Sequence, residues 1–107
     1  MTDMTQLGKK IVEEIHSTEE YKTYINLRRE VEKDPALLLR VTELMEKNSR
    51  LHQTDSEELF ALCDALTNEY EDVINNELAC DFMEAEVVLC RLVQELSYIV
   101  LEGLELV

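Results

Sequence analysis

Residues 77–107, ELACDFMEAEVVLCRLVQELSYIVLEGLELV, decide the fold. Read in alternating steps of four and three, they give Leu78, Phe82, Ala85, Leu89, Leu92, Leu96 and Ile99. That spacing holds one apolar stripe on one side of a helix for about eight turns. A second stripe, Cys80, Met83, Val87, Cys90, Leu101 and Leu104, is interrupted by Gln94 and Ser97. It runs two residues out of phase, roughly 200° around the helix. Glu77, Asp81, Glu84, Arg91, Glu95 and Glu102 fill the remaining, wet side. A helix apolar on two sides needs cover on both flanks, from its own chain or from a second copy.

Working back from this stretch, Leu59, Cys63, Leu66, Tyr70 and Val73 repeat the four-three spacing and predict a helix broken at Asn75-Asn76. Residues 54–107 then read as an acidic helical hairpin, in which Cys63 falls near Cys90 if the pairing is regular. Arg50 to Asp55 is polar and predicts the longest loop, with Thr54, Asp55 and Ser56 as candidate N-caps. Before it, Leu38, Val41, Leu44 and Met45 predict a helix from Pro35 to about Leu51. Asp34-Pro35 starts that helix: proline suits its first turn, and the carboxylate can accept from free amides. Ser17-Thr18-Glu19-Glu20 reads as a capping box with Ser17 as the N-cap of a helix carrying Tyr21, Tyr24, Ile25, Arg28 and Val31. Lys22, Arg29 and Lys33 make a basic stripe on another side of it. A first helix over about Met4 to His16 carries Met4, Leu7, Ile11 and Ile15 on the side expected to be buried. The expectation is an all-α bundle of about five helices in one domain, residues 1–107, with a long C-terminal helix and a dimeric state.

Composition agrees. Two glycines and one proline among 107 residues leave few obligatory loops, and helix formers dominate. The net charge of −14 is unevenly placed. Residues 1–53 hold nine Lys/Arg against ten Asp/Glu, whereas residues 54–107 hold Arg91 alone against fourteen acids. The acidic half repels phosphate, which argues against direct nucleic-acid binding and for a basic protein partner. Glu57, Glu58, Glu84 and Glu95 are the candidate contacts, although an acidic face serves solubility as well. The polar start MTDMTQLGKK and the lack of a long uncharged apolar run predict a cytoplasmic chain without membrane insertion.

Catalytic chemistry finds no pattern. His16 and His52 fall at predicted helix ends, where imidazole complements the macrodipole. No phosphate loop, nucleophile motif or HExxH occurs. Cys63, Cys80 and Cys90 are the sharpest alternative, a metal or redox site. Their spacings of seventeen and ten are not those of zinc or iron–sulfur pairs, and cysteines on apolar stripes behave as small hydrophobes. No cofactor is expected. Tyr21, Tyr24, Tyr70 and Tyr98 read as residues with rings in the core and hydroxyls reaching water or backbone rather than a ligand box. Phe82, Leu89, Leu92, Leu96, Ile99 and Leu104 are the expected association residues, since burying four such side chains is worth about 6–12 kcal/mol.

The stretch LGKKIVEEIHSTEEYKTYINLRREVEKDPALLLRVTELMEK resembles the N-terminal half of the YlbF/YmcA/YheA group of small bacterial helical proteins. Leu7-Gly8, the Ser17-x-x-Glu20-Tyr21-x-x-Tyr24 run and Asp34-Pro35 carry the resemblance. Asn76, Phe82, Ala85-Glu86 and Leu89 extend it through the second half. It implies a dimeric, non-enzymatic regulatory protein working in complexes of related subunits. Such complexes influence RNA processing by a membrane-associated endoribonuclease, and with it competence, biofilm formation and sporulation. Some members hold iron–sulfur clusters through cysteine-bearing tails; here no cysteine follows Cys90.

Overall fold

A computed structural model describes residues 3–51 and 58–106. Among them the chain forms six helices and no strand: α1 Met4–His16, α2 Glu19–Glu32, α3 Pro35–Leu51, α4 Leu59–Glu69, α5 Glu71–Ile74 and α6 Glu77–Gly103.

The helix starts follow from local hydrogen bonding. Asp34 Oδ1 accepts from the Leu37 amide at 3.1 Å, so the Asp-Pro pair opens α3 as the sequence predicts. Asn76 caps α6 by accepting from Ala79 N at 3.0 Å. The cap of α2 is Thr18, not Ser17: Thr18 Oγ1 accepts from Tyr21 N at 3.2 Å. Ser17 instead closes α1, its hydroxyl donating to the Glu13 carbonyl. The N-cap is thus shifted by one residue, because the last turn of α1 already claims Ser17, and with Tyr21 at the third helical position Thr18 caps α2 alone, without the expected reciprocal box.

The helix expected to run unbroken from Leu59 past Val73 divides at Tyr70. Arg40 of α3 explains the break. Its Nη2 donates to the Glu69 carbonyl and to Asp72 Oδ1, both at 2.8 Å, so a cation from another helix satisfies the end of α4. The same guanidinium lies 4.4 Å from the centroid of the Tyr70 ring, and Lys47 Nζ lies 5.0 Å from it. Tyr70 itself is fully buried, and its hydroxyl donates to Glu43 at 3.2 Å. Asp72 is held below the usual carboxylate range by its hydrogen bonds from Arg40.

Val31, Val41, Leu44, Tyr70, Val73, Ala79 and Phe82 form the core. It sits where α2, α3, α5 and the first part of α6 meet. The most extensive helix pairing is α2 with α6, fixed by Tyr24 stacked on Phe82 at 5.7 Å between centroids. Length then sets the outcome: fourteen residues of α2 span roughly 21 Å, and twenty-seven of α6 roughly 40 Å. Half of α6 runs on past its cover.

The molecule is accordingly open and flat, with extents of 53 × 38 × 18 Å. Its Cα radius of gyration is 17.2 Å, against about 13 Å for a compact domain of this length. It exposes 8365 Å², whereas a compact 12.5 kDa monomer exposes about 6,200 Å².

Candidate association surface

Much of the exposed apolar surface lies on distal α6 and on α1, and α4 adds Phe60 and Leu62. Along α6, burial ends with Ala79, Phe82 and Ala85; Leu89 and Leu92 are half-buried, and every described residue beyond Leu92 is exposed. Ile99 and Leu104 each keep 63% of their surface in solvent, and Leu96, Val100 and Leu101 are exposed beside them. Of the six residues expected to mediate association, Leu96, Ile99 and Leu104 are therefore open and Leu89 and Leu92 partly so. Phe82 is different. It is 3% exposed and belongs to the subunit's own core, because the Tyr24 ring covers it. The stripe that contains Phe82 and Ile99 is continuous in sequence, yet its two ends face different surroundings.

The second exposed helix is α1. Among the described residues it touches only α2, and it buries no side chain. Met4, Leu7, Ile11 and Val12 remain exposed, with only Ile15 partly covered. The side on which the spacing predicts burial, Met4, Leu7, Ile11 and Ile15, is thus open within the subunit except at Ile15, because no described helix but α2 reaches α1.

A groove of about 780 Å³ separates α3, α4 and α6. Its walls include Met45, Leu66, Met83 and Val87, with Cys63 on one side and Cys90 on the other. α4 and α6 are not in contact, so the regular hairpin expected for this region does not close. The break at Tyr70 turns α4 away and leaves the groove between the two cysteines. Burial on this wall raises the Glu86 carboxyl, an effect partly offset by the charge of Arg28.

A family model described as "Control of competence regulator ComK, YlbF/YmcA" matches residues 4–105. The chain belongs to the YlbF/YmcA family. No curated protein and no solved structure matches it. The match covers both the packed core and the uncovered α1 and distal α6, so the open architecture lies within the family's own span.

Iron–sulfur ligation, which the resemblance implies for some members, needs gathered thiols. This YlbF/YmcA chain does not gather them: among the described residues no group of three or more Cys, His, Asp or Glu side chains could hold a metal ion. Cys80 is engaged elsewhere, its thiol donating to the Ile74 carbonyl at 3.0 Å and so tying the α5–α6 turn.

The tyrosines do not converge either. Tyr24 accepts from Arg28 Nη1 at 2.8 Å, Tyr21 packs 4.5 Å from the His16 ring, Tyr70 is core and Tyr98 is exposed. Of the candidate acidic contacts, Glu58, Glu84 and Glu95 are exposed, and Glu57 lies outside the described residues, as do His52 and the three candidate caps before it. Glu84 is not isolated. It shares a shallow cleft with Asp81, Glu19 and Glu20, where α2 meets α6. The sequence offered the two halves of this cluster, E-E at 19–20 and the 81/84 pair at helical spacing, without a means to join them. Among the described residues no helix is long and apolar enough to cross a membrane.

Proposed function

We propose that this protein is a non-enzymatic regulatory subunit that acts through association, as a homodimer or with related helical subunits, in an assembly controlling competence. The observation that carries the reading is the distal half of α6, a row of apolar side chains left uncovered inside a family-matched span. The family description supports the regulatory assignment. Burying what this surface exposes drives the assembly, and the acidic cleft of Glu19, Glu20, Asp81 and Glu84 gives it a face for a basic protein partner. RNA processing by a ribonuclease-associated complex is the downstream step the resemblance implies, with biofilm formation and sporulation as further outputs. The setting is the cytoplasm, without direct contact to nucleic acid.

The test is genetic and uses an association-deficient chain. A strain lacking the gene should lose ComK-dependent expression, and the natural chain should restore it. Ile99→Lys, expressed at the same level, should not. Full restoration by a variant shown to be monomeric would mean that association is not the activity.

A further inference from the structure

We propose that α1 of one copy lies along the distal half of α6 of a second copy, and reciprocally, so that each N-terminal helix is the missing cover of the other subunit's C-terminal helix. This rests on the association reading above and adds the identity of the two faces. Among the described helices α1 and α4 bury nothing, and α6 buries nothing beyond Ala85; α4 carries Asp64 and Glu69 and no Lys or Arg, so of the two remaining open helices α1 is the one without a net negative charge to set against distal α6. Their lengths agree. α1 has thirteen residues, roughly 20 Å, and α6 from Val93 to Gly103 covers roughly 16 Å.

Charge selects this pairing over α6 against α6. Residues 92–106 carry Glu95, Glu102 and Glu105 and no Lys or Arg, so two such segments side by side repel. α1 carries Lys9 and Lys10 against Glu13 and Glu14, a net charge of zero, and brings two ammonium groups to an acidic partner. Area agrees as well. The roughly 2,200 Å² by which the chain exceeds a compact monomer is the amount each subunit of an obligate dimer covers. Two-fold symmetry uses the α1–α6 contact twice.

The glycines fit the same contact. Gly8 and Gly103 are the chain's two glycines, neither has positive φ, and a Cβ on either would meet nothing within 4 Å. Neither serves a turn that demands glycine. Gly8 sits between Leu7 and Ile11 on the uncovered side of α1, and Gly103 four residues after Ile99 on that of α6. Each omits a side chain where a second helix would need to come close.

The full-length chain tests this directly. Sedimentation equilibrium should show the natural protein as a dimer. Ile11→Glu, at an exposed position with no core contact, should raise the dimer Kd on the order of 100-fold, which corresponds to about 2.7 kcal/mol. Gly8→Leu should also weaken it, although leucine is the better helix former. In a background with Cys63, Cys80 and Cys90 changed to alanine, chains carrying Ile11→Cys and chains carrying Ile99→Cys, differently tagged, should form a disulfide-linked heterodimer under mild oxidation with copper phenanthroline. If that background does not fold, the two association measurements above decide. A dimer indifferent to both α1 substitutions, or self-cross-linking of Ile99→Cys in place of the mixed product, would overturn the pairing and leave association intact. An intramolecular disulfide in a chain carrying both cysteines would overturn it by showing that α1 covers its own α6. A natural chain that stays monomeric at high micromolar concentration would overturn the pairing and the association reading together.

Discussion

Replacing Ile99 by lysine separates a side chain that is merely exposed from one exposed for the sake of a partner. Ile99 keeps 63% of its surface in solvent and sits well beyond the covered part of α6. In an isolated subunit the change should cost nothing. Lysine is at least as good a helix former as isoleucine, and a cation in the last turns complements the helix dipole. Surface substitutions of this kind fall within about ±0.5 kcal/mol. In the assembly the balance reverses. A fully buried isoleucine is worth about 1.5–3 kcal/mol, so covering the open two thirds is worth about 1–2 kcal/mol per site. Two copies of the site, plus the cost of stripping water from two ammonium groups, bring the loss to roughly 3–5 kcal/mol, or two to four decades in Kd. Sedimentation equilibrium across nanomolar to micromolar concentrations measures the second quantity, and thermal melting of the dilute monomer measures the first. An unchanged Kd would refute the reasoning, as would a melting transition of the dilute monomer lowered by more than a few degrees.

Other consequences concern the subunit itself. Thr18→Ala should cost about 1 kcal/mol by urea unfolding, whereas Ser17→Ala should be nearly neutral, since Thr18 supplies the N-cap of α2; equal losses would return the cap to Ser17. Arg40→Ala removes the donor to the Glu69 carbonyl, the Asp72 pair and the cation over Tyr70, and should lower the urea unfolding midpoint. Because Arg40 depresses Asp72, the pair's stabilisation is full above the unfolded aspartate pKa and fades as pH falls through the lower folded value. The cost of Arg40→Ala should therefore shrink in acid. Glu86 behaves oppositely. Burial raises its pKa, so its ionised form opposes folding at neutral pH; the penalty fades as pH falls through the folded value and is gone below the lower, unfolded value. Glu86→Gln should raise the unfolding midpoint at pH 7 and leave it unchanged near pH 4; a gain that persisted in acid would assign the effect to something other than charge.

How much of this was legible in the sequence depends on the range of the interaction concerned. The bounds of α1 and α3 follow from periodicity and from the Asp34-Pro35 signal, which are local. The cap at residues 17–18 is also local, but two adjacent hydroxyls compete for it, and the end of α1 decides between them. The division at Tyr70 was not legible, because its cause is Arg40, some thirty residues earlier in the chain. The same turn decides residues 54–107: a straight fourth helix implies a closed hairpin, whereas the turned one leaves the groove between Cys63 and Cys90. Phe82 was misplaced for a related reason. Periodicity identifies which residues share a stripe but not how far along the stripe the cover reaches.

That distinction also explains why α6 can hold a fold together and still serve as a contact surface. Its first part carries Ala79, Phe82 and Ala85 against α2, α3 and α5, and this packing fixes the direction of the whole rod. The remainder extends without breaking, because nothing between Leu92 and Leu101 interrupts the helix. Rigidity is then inherited from the core at little further entropic cost, and under the proposed association the apolar row would meet its partner already in its bound conformation. If α6 frayed beyond Leu92 in solution, that advantage would vanish. Amide hydrogen exchange of the natural chain is informative on this point: protection extending through Val100 in the assembled protein, and lost selectively there in Ile99→Lys, is the pattern that a preformed rod stabilised by its partner requires.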